Sequence, residues 1–221
     1  MLNNPSPVTA RSIYLHHAIA CAPRSYAAAA RSLGSIDWAR HGGALYGAWR
    51  SQIGRPRDEL TAITVWPGDA DLALAQKLIE DIAEVRQVAS EPLHATLRPT
   101  APTPPRRQGN YAFRWFELPE RHWEEFLSLC AAAWPGFESA YDSQVIGLWR
   151  CAIDKPGRVR ALLLTRRPDL AMWERSKIPA GAAESEVRSQ LSRRYDLCDD
   201  TWVYTTTLLT AADRTDDARW T

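Results

Sequence analysis

Apolar positions along the chain alternate between two spacings. Short runs rich in β-branched, leucine and aromatic residues predict strands at Ile13–Ile19, around Gly47–Ile53, at Leu60–Trp66 and at Leu93–Leu97. A second set follows at Tyr111–Leu118, around Gly147–Ile153, at Val159–Thr165 and at Thr201–Leu209. Between strands the period lengthens. Trp123, Phe126, Leu127, Cys130 and Trp134 fall at i, i+3, i+4, i+7 and i+11, one apolar stripe of a helix. Pro119 suits its first turn, and Pro135-Gly136 is expected to end it. Its counterpart in the first half, Pro23–Leu33, is a shorter, alanine-rich helix. Further helices are predicted at Asp69–Ala83 and, interrupted at Pro179-Ala180-Gly181, over Asp169–Arg194.

The two sets of strands share a motif. Gly47-Ala48-Trp49-Arg50-Ser51-Gln52-Ile53-Gly54-Arg55-Pro56 returns as Gly147-Leu148-Trp149-Arg150-Cys151-Ala152-Ile153-Asp154-Lys155-Pro156, with Gly, Trp-Arg, Ile and Pro in one frame. Between the copies, residues 99–109 hold four prolines, too many for a strand or helix, and read as a semi-extended linker. The expected organisation is a disordered lead-in at 1–10, units at 11–99 and 110–212 with residues 100–109 joining them, and a tail at 213–221.

Each half reads strand, helix, strand, strand, helix, strand, the order of a ferredoxin-like unit. Its four-stranded antiparallel sheet carries both helices on one face and must bury the other. A second copy in the same chain supplies the cover. The predicted fold is therefore α+β, two tandem ferredoxin-like (βαββαβ) units packing sheet to sheet into an α+β barrel.

Several of these residues resemble the NIPSNAP-like branch of the dimeric α+β barrel superfamily. In the second half the resemblance runs through Tyr111-Ala112-Phe113-Arg114, Trp134-Pro135-Gly136-Phe137-Glu138, Gly147-Leu148-Trp149 and the strand Val159–Leu164. The first half looks like a more divergent copy, at Gly47-Ala48-Trp49 and from Asp58-Glu59-Leu60 to Val65-Trp66. Gly157-Arg158-Val159 departs from the pattern, lacking an acidic or amide residue at the start of its strand. The superfamily includes cofactor-free quinone-forming oxygenases, polyketide cyclases and haem-degrading enzymes, so the resemblance implies a fold more firmly than an activity.

Composition narrows the function classes. Of 221 residues, 45% are hydrophobic and 24% charged, enough to bury a core without disulfides or a structural metal. Lys plus Arg is 27 against 26 acidic residues, a balance that argues against a dedicated nucleic-acid or anionic-membrane binder. Cys21, Cys130, Cys151 and Cys198 stand far apart, as free thiols of a cytoplasmic protein would. His16 and His17 interrupt the one leader-like stretch, so no export signal is expected. Ten tryptophans suggest the walls of a core, a pocket or an interface.

No phosphate-cradling loop, metal-ligand spacing or nucleophile elbow is present. The remaining candidates are side chains that a barrel would turn inward. His16 and His94 lie on the first and fourth strands of one unit, which are neighbours in a ferredoxin-like sheet. Either is a natural acid/base for enolisation or for deprotonating a phenol. Both also fit a core position bonded to backbone. Tyr204 occupies the strand equivalent to that of His94 and completes the catalytic candidates. For substrate binding the candidates are Arg50 and Arg150, the repeated pair, with Tyr14, Trp66, Trp115 and Trp202. If the arginines face inward they would hold a carboxylate or enolate; if outward, they are surface residues with packed stems. No metal site and no cofactor are expected, with haem weighed as an option because one axial histidine suffices.

These residues lead to one expectation and a rival. The first is an enzyme with an apolar, aromatic-walled cavity acting on a hydrophobic aromatic or polyketide-like metabolite. It would work by acid/base chemistry (cyclisation, isomerisation, dehydration) or by cofactor-independent oxygenation. The rival is a non-catalytic binding or interaction protein. The expected partner is a hydrophobic small molecule, without nucleic acid or membrane, and a homodimer is left open. A substrate-sized, enclosed pocket lined by His and Arg would favour the enzyme, and a barrel filled solid by Trp and Leu side chains would sink it.

Overall fold

The computed structural model describes residues 12–153 and 155–214; the expected lead-in, Trp220 and most of the tail lie outside them. The first half runs β1 (Ile13–Cys21), α1 (Tyr26–Ser35), β2 (Ala44–Ile53), β3 (Glu59–Trp66), α2 (Leu72–Glu80) and β4 (Val85–Arg98). The second runs β5 (Asn110–Pro119), α3 (Trp123–Ala140), β6 (Gln144–Cys151), β7 (Arg158–Arg167), α4 (Leu170–Arg175), α5 (Ala182–Asp196) and β8 (Asp200–Leu208).

All pairings are antiparallel, and the eight strands close in the order β1-β3-β2-β8-β5-β7-β6-β4. The halves do more than stack face to face. Their edge strands hydrogen-bond, β2 to β8 and β4 to β6, so one barrel replaces two sheets and no edge is left open. Eight strands enclose a lumen just wide enough for side chains to fill.

Strand alternation sorts the core into three layers. On β1, Ile13, Leu15, Ile19 and Cys21 face outward and join Tyr26, Leu33, Ala75 and Ile79 under α1 and α2. On the other side Phe116, Leu118, Val159 and Leu163 pack under α3 with Trp123, Phe126 and Trp134. The lumen takes the opposite set, including Tyr14, Tyr46, Trp49, Tyr111, Phe113, Trp115, Trp149 and Tyr204. No helix among the described residues is long and apolar enough to cross a membrane.

Two expectations about elements change. Pro135-Gly136 does not end α3, which continues to Ala140. Packing of Trp134 and Phe137 onto the sheet holds the chain helical past the proline. Gly136 is instead where α5 touches α3, since a Cβ there would meet Val187 Cγ2 at 2.5 Å. Strand β4 begins at Val85, eight residues before the predicted start at Leu93, because Arg86, Gln87 and Glu91 break its apolar pattern without breaking its pairing with β1.

Candidate functional site

Register decides which candidates meet. β1 pairs with β4 as expected, but His16 lies opposite Glu91, and His94 falls beyond the β1 pairing, opposite Arg150 of β6. His94 also has the opposite parity to the buried Leu93, so it stands on the outer face and is exposed. The expected His16–His94 pair does not form. His16 faces the lumen instead, where its Nε2 lies 2.9 Å from the hydroxyl of Tyr204. The Thr61 hydroxyl lies 3.3 Å from the same oxygen. The His16 ring stands edge-on to Trp115 and Phe113, with centroids 5.1 and 5.9 Å away.

Burial sets the protonation of this pair. Desolvation, then the charges of His17, Arg55 and Arg160, pushes the His16 pKa down to about 3. Desolvation pushes the Tyr204 phenol well above its ordinary value. Both groups are therefore neutral across the physiological range. His17 points away from the lumen and is also held near 3 by burial. Both its nitrogens are engaged, Nδ1 with Ser90 Oγ at 2.8 Å and Nε2 with Thr64 Oγ1 at 2.9 Å.

Charged side chains close the lumen above His16 and Tyr204. Nη1 of Arg160 donates to both carboxylate oxygens of Glu91 at 2.7 Å. The Arg160 guanidinium lies 4.4 Å from the ring centroid of Trp115 and 5.4 Å from that of Trp202. These two indoles are themselves stacked, 6.1 Å apart. Arg55, paired with Glu59 at 3.3 Å, covers the Tyr204 ring at 4.8 Å. Outside this closure Glu91, Glu117, Arg158 and Arg160 bound a hollow of about 190 Å³. Arg160, Glu91, Arg55 and Thr61 are not among the candidates that the sequence offers. The available signal was Arg158-x-Arg160 in an otherwise apolar strand, on the parity that Leu162 and Leu164 carry into the lumen.

The other candidates divide. Tyr14 and Trp115 are in the lumen, and Trp202 is partly buried at its closed end. Arg50 and Arg150 face outward, because Trp49 and Trp149 beside them take the lumen. Arg50 lies 4.3 Å over Tyr26 at the start of α1; Arg150 lies 5.8 Å over Trp123 at the start of α3 and donates to Glu120 at 3.0 Å. Trp66 also faces outward, 6.1 Å from Trp38, with its Nε1 donating to Thr64 Oγ1 at 2.8 Å. None of these three can touch a ligand in the lumen.

The rings expected to wall a cavity touch one another. Trp49 and Phe113 are 5.2 Å apart, Phe113 and Tyr204 are stacked at 5.1 Å, and Tyr14 and Trp149 are 5.6 Å apart. The packing leaves hydrogen-bond capacity unspent. The indole N–H groups of Trp49 and Trp149 are buried with no acceptor among the described residues, an arrangement that costs each of them about 1–3 kcal/mol. Haem does not fit this lumen. Ring-on-ring contacts occupy the space a porphyrin would need, and the two buried histidines already spend Nε2 on hydroxyl partners. Among the described residues no three His, Cys, Asp or Glu side chains gather as metal ligands.

Comparison with known proteins yields a fold. No family model matches the chain, and no curated protein is similar to it. Solved structures with the same architecture include an anthrone oxidase-like protein, 10% identical with a TM-score of 0.58, covering 94% of this chain and 96% of that one. Chlorite dismutase from Candidatus Nitrospira defluvii is 8% identical with a TM-score of 0.53, over 89% of this chain and 90% of its own. A siroheme decarboxylase is 9% identical with a TM-score of 0.52, over 88% of this chain and 71% of its own. The chain shares the ferredoxin-like α+β barrel with these proteins.

Proposed function

We propose that the chain is a small-molecule enzyme whose proton-handling pair is His16 and Tyr204, acting on an oxygen-bearing aromatic or polyketide-like substrate. The 2.9 Å contact between these two buried side chains carries the reading. Membership of the NIPSNAP-like branch is part of the same proposal.

In the closed lumen His16 is too weak a base to take a phenolic proton. Two of the charges that depress it belong to Arg55 and Arg160, the residues that close the lumen. Their withdrawal, with the entry of substrate and water, moves the imidazole back toward its ordinary value near 6.5. His16 then accepts a proton from the substrate, and the Tyr204 hydroxyl donates to the developing enolate or phenolate oxygen.

With a substrate of the anthrone type the same proton removal starts a cofactor-free oxidation. The carbanion supplies the electrons, the ring methylene becomes a carbonyl, and dioxygen leaves one atom in the product and one in water.

An oxygen electrode with anthrone as the probe tests this. Wild-type protein should consume oxygen, and His16→Asn and Tyr204→Phe should each lose activity by ~10²-fold or more while melting within a few degrees of wild type. Full activity in both variants, or no consumption by wild type, would refute the assignment. The tight lumen favours a second reading, non-catalytic binding at the same place; quenching of tryptophan fluorescence without turnover would support it.

A further inference from the structure

The outer faces of β5 and β7 do not close completely against α3 and α5. Between them lies a cleft of about 40 Å³ onto which five cationic side chains converge. Arg114 comes from β5, Arg167 from β7, Lys177 from the turn after α4, and Arg188 and Arg194 from α5. No Asp or Glu lines the cleft. Elsewhere carboxylates pair with Arg98, Arg150, Arg158, Arg160, Arg175 and Arg193. Among the described residues, none of these five cations has such a pair.

Two of the five are deeply placed. Arg167 is 7% exposed and Arg194 3%, and the Nε–H of each is buried without an acceptor. Their terminal nitrogens meet uncharged groups, Thr165 Oγ1 at 3.1 Å and Cys130 Sγ at 3.6 Å, and their guanidinium groups lie over aromatic rings, Arg167 4.9 Å from that of Phe137 and Arg194 4.8 Å from that of Phe116. Burial, and then the neighbouring Arg114, brings the Arg167 pKa down to about 9. Like charges gathered away from water destabilise a fold unless something opposite joins them.

We propose that this cleft binds a phosphoryl group, either free phosphate or the head of a small phosphorylated metabolite. The excess of positive charge calls for a multivalent anion. Guanidinium groups present paired donors that match its oxygens. The body of a metabolite would leave past Lys177, which is exposed at the rim with its ammonium 5.2 Å over the Trp173 ring. The site is separate from the His16–Tyr204 pair, which lies on the inner side of the sheet, so the two proposals stand or fall independently.

Thermal unfolding with inorganic phosphate, against sodium chloride at matched ionic strength, tests the site. Phosphate should raise the melting temperature by several degrees more than chloride, because it binds only the folded chain. Glycerol 3-phosphate as a second probe separates the sources: a larger shift than phosphate indicates a metabolite body, and an equal one indicates the head group alone. Arg167→Gln and Lys177→Gln should each abolish the phosphate shift. In phosphate-free buffer Lys177→Gln should melt at or above wild type, since it removes repulsion and breaks no ion pair. Should Arg167→Gln fail to fold, Lys177→Gln at the exposed rim carries the same test. A phosphate shift no greater than that of chloride, or one undiminished in Lys177→Gln, overturns the proposal.

Discussion

The indole of Trp149 occupies the space that a side chain on Gly147 would need, and the same relationship holds between Trp49 and Gly47. Glycine and tryptophan sit two apart on one strand, so both face the lumen, and the ring folds back over the bare backbone. The repeated motif is thus a packing device used twice, and both rings are fully buried. Gly147→Ala and Gly47→Ala should each destabilise by about 1–3 kcal/mol through overpacking, read as a lower midpoint in urea. Gly34→Ala in α1 is the opposite case, because nothing lies within 4 Å of its added Cβ. It should stabilise by about 0.5–1 kcal/mol. Unchanged midpoints in Gly147→Ala and Gly47→Ala would show that the rings relax at no cost.

That pair also marks how far the sequence could be read. Strand and helix periods and the recurring Gly-x-Trp frame are legible, because spacing and turn chemistry are local. Which face of each strand looks inward was not. In a helix-covered barrel both faces are apolar, so Leu162 and Leu163, or Val65 and Trp66, offer no contrast from which to assign sides. His94 shows the consequence: its strand does lie beside β1, yet one residue of parity puts it outside. Glu91, three residues earlier, is the residue that faces His16. The Pro135-Gly136 step failed for a different reason. Local rules make it a helix stop, while contacts from α5 and the sheet, invisible in sequence, carry the helix through.

The helix contact itself can be tested. A Cβ on Gly136 would collide with Val187 Cγ2 at 2.5 Å, so α5 approaches α3 only because residue 136 has no side chain. Gly136→Ala gains helix propensity of about 1 kcal/mol but should still lose stability, because the contact must open. Val187→Ala should relieve the clash, making the double variant more stable than the sum of the single changes predicts. Thermal melts of the four proteins measure it, and strict additivity would show that the helices do not meet at these residues.

Acid should unfold this protein early. His16 and His17 are held near a pKa of about 3 in the folded chain, chiefly by burial, against about 6.5 when unfolded. Between those values the unfolded chain binds protons that the folded chain refuses. Stability is therefore complete above about pH 6.5 and falls as pH drops toward 3, by up to ~1.4 kcal/mol per pH unit for each histidine. Urea midpoints measured from pH 7.5 to 4.5 should decline steadily, and His17→Gln should flatten the slope. A midpoint independent of pH down to 5 would mean that the two rings are protonated in the folded state or reach water.

The closure above His16 gives a last prediction, in which stability and site chemistry separate. Arg160 and Glu91 retain about 36% and 24% side-chain exposure, so solvent screens their attraction. A double-mutant cycle of Arg160→Gln and Glu91→Gln should return a coupling of about 1 kcal/mol or less. The effect on His16 should be clearer. Arg160 opposes protonation of the imidazole, so Arg160→Gln should raise the His16 pKa toward its unperturbed value, with burial limiting the recovery. Glutamine leaves the Trp115–Trp202 stack without its cation and removes that restraint on the closed end. NMR of the His16 ring, followed over the pH range in which the chain stays folded, reads the shift as an earlier onset of protonation, with His17, turned to the other face of β1, as the internal reference. A His16 pKa that rises while that of His17 stays fixed supports a closure that sets basicity. Equal behaviour of the two rings would remove Arg160 from that role.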